Sequence, residues 1–406
     1  MTSRQWRGMV RISVVATLVL IVGLASAPAP AQQPPPRFGD PLPGIIPAEF
    51  ERFRLGLDDF LEVETAEEGL GPSFNASSCA VCHNVPAIGG VSLVSEVRAA
   101  YRDEQGRIRP LTAADGTPLD TLFHLFSNPM HACQPAIPAE ANIIARRIPI
   151  PTFGAGLVEA IADETLTTLE DPDDLDGDGI SGRAAWVTDV GTGARRVGRF
   201  GWKAQHATLR TFSADAYRNE MGITNELFPT ELANGVSAEQ LRLCDPTPDP
   251  EDVPDPRTRL AAIDNFEAFM EFLGPPPRGP IDDSVRAGER VFQSTGCARC
   301  HVPTLETGAS RHPLFDRKPV PLFSDLLLHD VGTGDGIPQA SALPNEIRTP
   351  SLWGLRVRRP FLHDGSASTV EQAIERHGVE ADLVRQRFDR LDPAQRRSLL
   401  LFLSSL

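Results

Sequence analysis

The stretch ASSCAVCHN (76–84) returns in outline as STGCARCHV (294–302), so that Cys79-Ala80-Val81-Cys82-His83 and Cys297-Ala298-Arg299-Cys300-His301 share one pattern. Cys-x-x-Cys-His is the signature of covalent c-type haem attachment. Two thiols three positions apart on a helical turn reach the two vinyl groups of one haem. The adjacent histidine then places an imidazole under the iron. A thioredoxin-like redox pair or half a zinc site would use the cysteines. Neither explains a histidine at the same place twice. Two covalently bound haem c groups are therefore predicted, on Cys79, Cys82 and His83 and on Cys297, Cys300 and His301.

Outward from the motifs the chain reads as a weak duplication, each motif following a helix-like stretch. Thr258–Leu273 (TRLAAIDNFEAFMEFL) carries apolar residues at helical spacing. Gly274 and Pro275-Pro276-Pro277 then stop the helix and form a linker. A second unit begins at Ile281, with one helix over DDSVRAGERVF and a last one over PAQRRSLLLFLSSL. Residues 91–255 read as irregular connections with short helices and a few short strands. The expected organisation is mainly α, with haem units over 32–274 and 281–406 joined by a Pro-rich linker at 275–280.

Residues 1–31 have the layout of a secretory signal peptide. Arg4, Arg7 and Arg11 precede an apolar run from Ile12 to Leu24, and small residues (Ala25-Ser26-Ala27, Ala29-Pro30-Ala31) follow. The run is shorter than the ~20 residues of a membrane span, so cleavage and export to the periplasm are expected, with no stable span afterwards. The 406-residue chain has a net charge of −15, which argues against nucleic-acid binding. Loss of 1–31 leaves 36 basic and 54 acidic residues, a charge of −18. All of it falls in 32–280, because 281–406 hold 16 of each sign. Two acidic runs, Glu170–Asp178 and Asp245–Asp255, read as a cation-binding loop and a solvated loop, or together as a docking face for a basic partner.

Asp174-Leu-Asp176-Gly-Asp178-Gly179 in the first run suits calcium, since alternating carboxylates can surround one hard cation. A missing twelfth-position Glu excludes an ordinary EF-hand. Cys133 and Cys244 remain after haem attachment. An exported protein rarely keeps two free thiols, so a Cys133–Cys244 disulfide is expected. The competing reading, a redox-active pair, has no Cys-x-x-Cys motif left to support it. Seven further histidines could supply a sixth iron ligand: His124, His131, His206, His312, His329, His363 and His377. Position alone does not choose among them.

The stretch RTPSLWGLRVRRPFLHDGSASTVEQAIERHG (348–378) closely resembles the C-terminal haem domain of the bacterial di-haem cytochrome c peroxidase superfamily. That superfamily includes the enzyme that matures methylamine dehydrogenase. GLGPSFNASSCAVCHNVPAIGG, DGDGISGR, RFGWKA, EMGIT, LLLHDVGTG and HGVEA extend the likeness over nearly all of the mature chain, toward the branch of di-haem c-type oxidoreductases. The resemblance implies two cytochrome c-like domains, the first enlarged by a long irregular insertion. It also implies an inter-domain calcium. The distal ligand of the second haem in the peroxidases lies fourteen residues after the histidine of the His-Asp-Gly turn. From His363 that count reaches His377. Peroxidases commonly have methionine there and the maturation enzyme tyrosine, so this chain departs from both. Bis-histidine ligation by His301 and His377 is expected, making the second haem a low-potential relay.

By the same resemblance the haem on His83 is catalytic, open to peroxide or a small oxidisable substrate. Its distal candidates are Lys203, Gln205 and His206 in GWKAQHATL, with Met221 behind them and Met130 and His131 as weaker ones. For Lys203, one of only two lysines, a salt bridge competes with a distal role. Trp186 and Trp202 are possible equivalents of an inter-haem tryptophan, against core packing for either. The chain thus reads as an exported di-haem oxidoreductase, peroxidase-like, fed by a small cytochrome or cupredoxin partner. A non-enzymatic di-haem electron carrier and an oxygenase-type oxidation of an organic substrate are the alternatives.

Overall fold

Eight of the eleven α-helices among the described residues build the surroundings of the two motifs: α1 (Pro47–Leu61), α2 (Cys79–Cys82), α3 (Leu209–Met221), α4 (Ala262–Phe272), α5 (Asp283–Thr295), α6 (Val370–Glu375), α7 (Asp382–Asp389) and α8 (Pro393–Leu403). The computed structural model describes residues 35–113, 115–128, 133–232, 234–245, 253–256 and 259–406. The signal segment, Met130, His131 and most of the second acidic run lie outside them. Residues 36–406 pack as one unit.

Local sequence explains the helix ends. Pro47 opens α1 at a position where its missing N–H costs nothing, and the Glu49 carboxylate accepts from the Ile46 N–H at 2.9 Å. The Asp282 side chain caps α5 by accepting from the Val285 N–H at 2.9 Å. Asp392 caps α8 in the same way, with Pro393 at its first position. Gly296, at φ 103°, ends α5 in the left-handed region and turns the chain directly into Cys297.

The duplication is realised as two helix pairs. Helix α1 packs on α4, with the Phe60 and Phe269 rings 4.7 Å apart, and α5 packs on α8, with Phe292 and Phe402 at 5.1 Å. Each crossing turns on a glycine. A Cβ at Gly56 would lie 2.2 Å from the Asn265 carbonyl oxygen, and one at Gly288 only 1.9 Å from that of Ser398. Gly288→Ala is therefore expected to destabilise the protein by at least about 1–3 kcal/mol through overpacking. The check is a lower denaturant midpoint with an unchanged slope.

A large buried cluster surrounds α1, α3 and α4 and also takes in Leu305, Phe315, Val320, Leu322, Leu326 and Leu327 from the C-terminal part of the chain. A smaller cluster of Val285, Phe292, Phe323, Leu355, Phe388 and Phe402 lies wholly after the Pro-rich stretch. Within 91–255 the strands are more ordered than the irregular reading suggested. Strand β1 (Glu96–Arg102) pairs antiparallel with β2 (Ile108–Arg109), β3 (Leu122–Phe123) and β4 (Ile143–Arg147), with Glu96 opposite Arg147. Cys133 and Cys244 are joined by a disulfide with Cα atoms 6.1 Å apart, closing a loop of 111 residues. No helix among the described residues is long and apolar enough to cross a membrane.

Candidate functional site: two cavities, each on a Cys-x-x-Cys-His motif

Cys79, Cys82 and His83 share one wall of the first cavity. Ser78 caps the single turn of α2 by accepting from the Ala80 N–H, which leaves both thiols on the cavity side. Burial pushes both thiols up, Cys82 to about 12, so neither is a reactive thiolate near neutral pH. His83 donates from Nδ1 to the Gly90 carbonyl at 2.9 Å. That bond fixes the tautomer and leaves Nε2 as the free lone pair.

Cys297, Cys300, His301 and His377 stand on the wall of the second cavity. Its two histidines repeat the arrangement. His301 donates from Nδ1 to the Phe323 carbonyl at 3.1 Å, and His377, at the end of α6, donates to that of Ala373 at 2.7 Å. Neither Nε2 has a hydrogen-bond partner among the described residues. Burial lowers both pKa values, that of His301 to about 4 with help from His377, so both rings are neutral. A thiol pair and a neutral imidazole with an oriented, unused nitrogen are what a covalently held haem requires. The first cavity supplies one such imidazole and the second supplies two.

The walls differ in chemistry. Strands β1 and β4 deliver Glu96, Arg98 and Arg147 to the first cavity, and α3 delivers Asp215, Asn219 and Glu220. Arg98 donates to Glu96 at 2.8 Å and to Thr121 at 2.9 Å, and Arg147 donates to Asp335 at 2.7 Å. Glu220 accepts from the Asn75 amide at 2.7 Å through Oε2. Burial, reinforced by the Glu96 charge, pushes the Glu220 carboxyl up to about 8.

Of the distal candidates, Gln205 lines the first cavity and its buried Oε1 has no hydrogen-bond partner among the described residues. His206 turns its Nε2 to Asp215 at 2.8 Å. Lys203 lies on neither wall. Its fully buried ammonium donates to the carbonyls of Glu346 at 2.6 Å and Leu343 at 3.1 Å and pairs with Asp335 at 3.1 Å. Met221 and Met270 both line the first cavity. Glu220, Arg98 and Arg147 escaped the sequence reading. The available signal was several charged residues set among apolar ones in two short strands (EVRAAYR, IIARR) and one glutamate before Met221 at the helix end.

The other histidines separate clearly. His124 bridges Ser73 and the Asn219 carbonyl, and His312 faces Glu49. His329, on the wall of the second cavity, is held by Asp325 at 3.0 Å and Glu380 at 2.8 Å. Burial opposes its charge, but these carboxylates outweigh it and raise its pKa well above the usual value. His363 also lines the second cavity, edge-on to Trp202 at 6.1 Å.

Trp202 lines both cavities, with its Nε1–H donated to the Ile148 carbonyl at 2.8 Å. Trp186 lines neither, and Arg195 lies 4.8 Å over its part-exposed ring. In the acidic loop Asp171 joins Asp174 and Asp176, one oxygen of each lying within 4.8 Å of the others. Asp178 is turned away to an ion pair with Arg299, between the two cysteines of the second motif. The loop therefore groups Asp171 with Asp174 and Asp176 where the spacing suggested Asp178.

This chain belongs to a family of di-haem oxidoreductases: the family described as "Di-haem oxidoreductase, putative peroxidase" matches residues 134–406. It is 28% identical over 138 residues to the methylamine utilization protein MauG of Methylophilus methylotrophus, across 31% of this chain and 37% of that one. To the cytochrome c551 peroxidase of Nitrosomonas europaea it is 30% identical over 91 residues, across 22% and 26%. The chain thus spans about a third and a quarter of the length of these curated relatives. Among solved structures, a hydrazine synthase of Kuenenia stuttgartiensis gives a TM-score of 0.40 at 14% identity, covering 98% of this chain and 100% of that one.

Proposed function

We propose that the protein is an exported, periplasmic di-haem c-type oxidoreductase that reduces a peroxide at the first cavity. The second would be a bis-histidine relay fed by a small cytochrome or cupredoxin. One observation carries this reading, the asymmetry of the two walls. The second cavity offers two oriented imidazoles, His301 and His377, whereas the first offers His83 with a ring of proton-carrying and polar groups. The paired helices α1–α4 and α5–α8, each crossing at a glycine, support two cytochrome c-like units over 32–274 and 281–406.

Haem, attached through Cys79 and Cys82 and through Cys297 and Cys300, would supply the redox iron at both places. The residues of this chain do the rest. The Gln205 Oε1 accepts the O–H of an entering peroxide and orients it. Glu220 carries its proton on the oxygen that Asn75 leaves free and delivers it to the departing oxygen atom. Burial, reinforced by the charge of Glu96 that Arg98 holds in place, keeps that proton on Glu220. Trp202, walling both cavities, offers the electron path between them. Calcium at Asp171, Asp174 and Asp176 would stiffen the loop that reaches Arg299.

Absorption and EPR spectra with and without peroxide test the assignment. One high-spin ferric signal that responds to peroxide, beside one inert low-spin signal, is expected. Two inert low-spin signals would overturn it in favour of an electron carrier, with Met221 or Met270 closing the first site.

A further inference from the structure

The second cavity has an electrostatic problem that the histidines and cysteines do not solve. Arg348, Arg358 and Arg385 stand on its wall, and no carboxylate does among the described residues. Arg385 is balanced by Asp389 at 2.8 Å. Arg348 donates only to backbone, to the carbonyls of Gly201 at 2.9 Å and Thr349 at 3.1 Å. Arg358 does less still. It is 8% exposed, its Nε–H is buried without a partner, and its guanidinium forms no hydrogen bond or ion pair among the described residues. Its one contact of note is with the Trp202 ring, 5.3 Å below the guanidinium carbon. Asp325, whose charge acts on Arg348, is already committed to His329 and to the Leu327 N–H.

A buried guanidinium without a partner is costly, and a second one beside it adds repulsion. The fork of N–H donors that Arg358 leaves unused is shaped for a carboxylate. The first cavity poses no such demand, since its two arginines are paired, Arg98 with Glu96 at 2.8 Å and Arg147 with Asp335 at 2.7 Å.

We propose that Arg358, assisted by Arg348, is a carboxylate-binding site in the second cavity, and that its ligand is a propionate group of the haem held by Cys297 and Cys300. This rests on the di-haem reading above. A carboxylate held there would form a neutral pair with the guanidinium and replace a bare cation over the Trp202 ring. Trp202 walls both cavities, so its oxidation would lie on a path between them. A bare Arg358 cation would oppose oxidation of Trp202, and the carboxylate removes that opposition.

The test is the midpoint potential of each haem in the holoprotein with Arg358→Gln and Arg358→Lys, with resonance Raman detection of the propionate bending mode. Loss of the cation favours the ferric state. Arg358→Gln should move the redox equilibrium of the second haem at least tenfold in that direction, ~59 mV for one electron. The first haem should be unchanged. Arg358→Lys should hold the potential near that of the parent while still shifting the propionate band, because an ammonium cannot reproduce the fork. Should Arg358→Gln fail to fold, that band shift in Arg358→Lys decides the matter. An unchanged potential in Arg358→Gln, or an unchanged band in both variants, overturns the proposal. A parent protein carrying fewer than two haems per chain would instead overturn the reading beneath it.

Discussion

Replacing Glu220 by Gln is expected to slow the reaction with peroxide by about 10²–10⁴-fold, the usual range for a positioned general acid or base. Glutamine keeps the shape and can still accept the Asn75 amide that Glu220 accepts at 2.7 Å. It cannot deliver a proton. Burial and the neighbouring Glu96 hold Glu220 protonated up to about pH 8, so the parent protein should react fastest below that pH and lose rate above it. The variant should show a low rate with no such limb. Stability separates this from simple damage. A carboxyl whose pKa is raised from about 4.5 to about 8 on folding favours the native state below pH 4.5, and that contribution is lost as pH rises toward 8. Removing the ionisable group should leave the variant at least as stable as the parent at pH 8. Stopped-flow rates across pH, with thermal melts alongside, read both effects. A variant as fast as the parent, with the same alkaline limb, would remove Glu220 from the reaction.

What the sequence could show depended on whether a group's job is set locally or by distant segments. Cys79-x-x-Cys82-His83 and Cys297-x-x-Cys300-His301 are local, since the spacing that haem attachment would require lies within five residues, and both land on cavity walls. His377 was reachable only by counting from His363, and it faces the same cavity as His301. The polar ring of the first cavity is assembled from β1, β4 and α3, so no window of sequence contains it. Of the two readings of Lys203 the ion pair holds, since Asp335 and backbone carbonyls from 343–346 take up its amine. The acidic loop misled by one residue for a conformational reason. Asp174 adopts φ 47°, the turn brings Asp171 back to it, and Arg299 claims Asp178.

The second large effect concerns His377. His377→Ala is expected to turn the second haem from low-spin to high-spin, and added imidazole should restore the low-spin spectrum by filling the vacated place. The geometry explains why this histidine is suited to the role. Its Nδ1–H is donated to the Ala373 carbonyl one helical turn back, at 2.7 Å. That bond holds the ring plane and raises the basicity of Nε2. Burial keeps the ring neutral, so no proton competes for the lone pair. His377→Met should keep six ligands but exchange imidazole for thioether, which favours the ferrous state. A rise on the order of a hundred millivolts fits within the roughly 0.8 V that axial ligands span. The relay would then hold its electron too tightly to reduce the first site at the parent rate, so turnover should fall although both haems remain. His363 is the competitor, since its ring lines the same cavity beside Trp202. An unchanged low-spin spectrum in His377→Ala, lost only when His363 is also replaced, would transfer the ligand to His363 and leave His377 a helix-end residue.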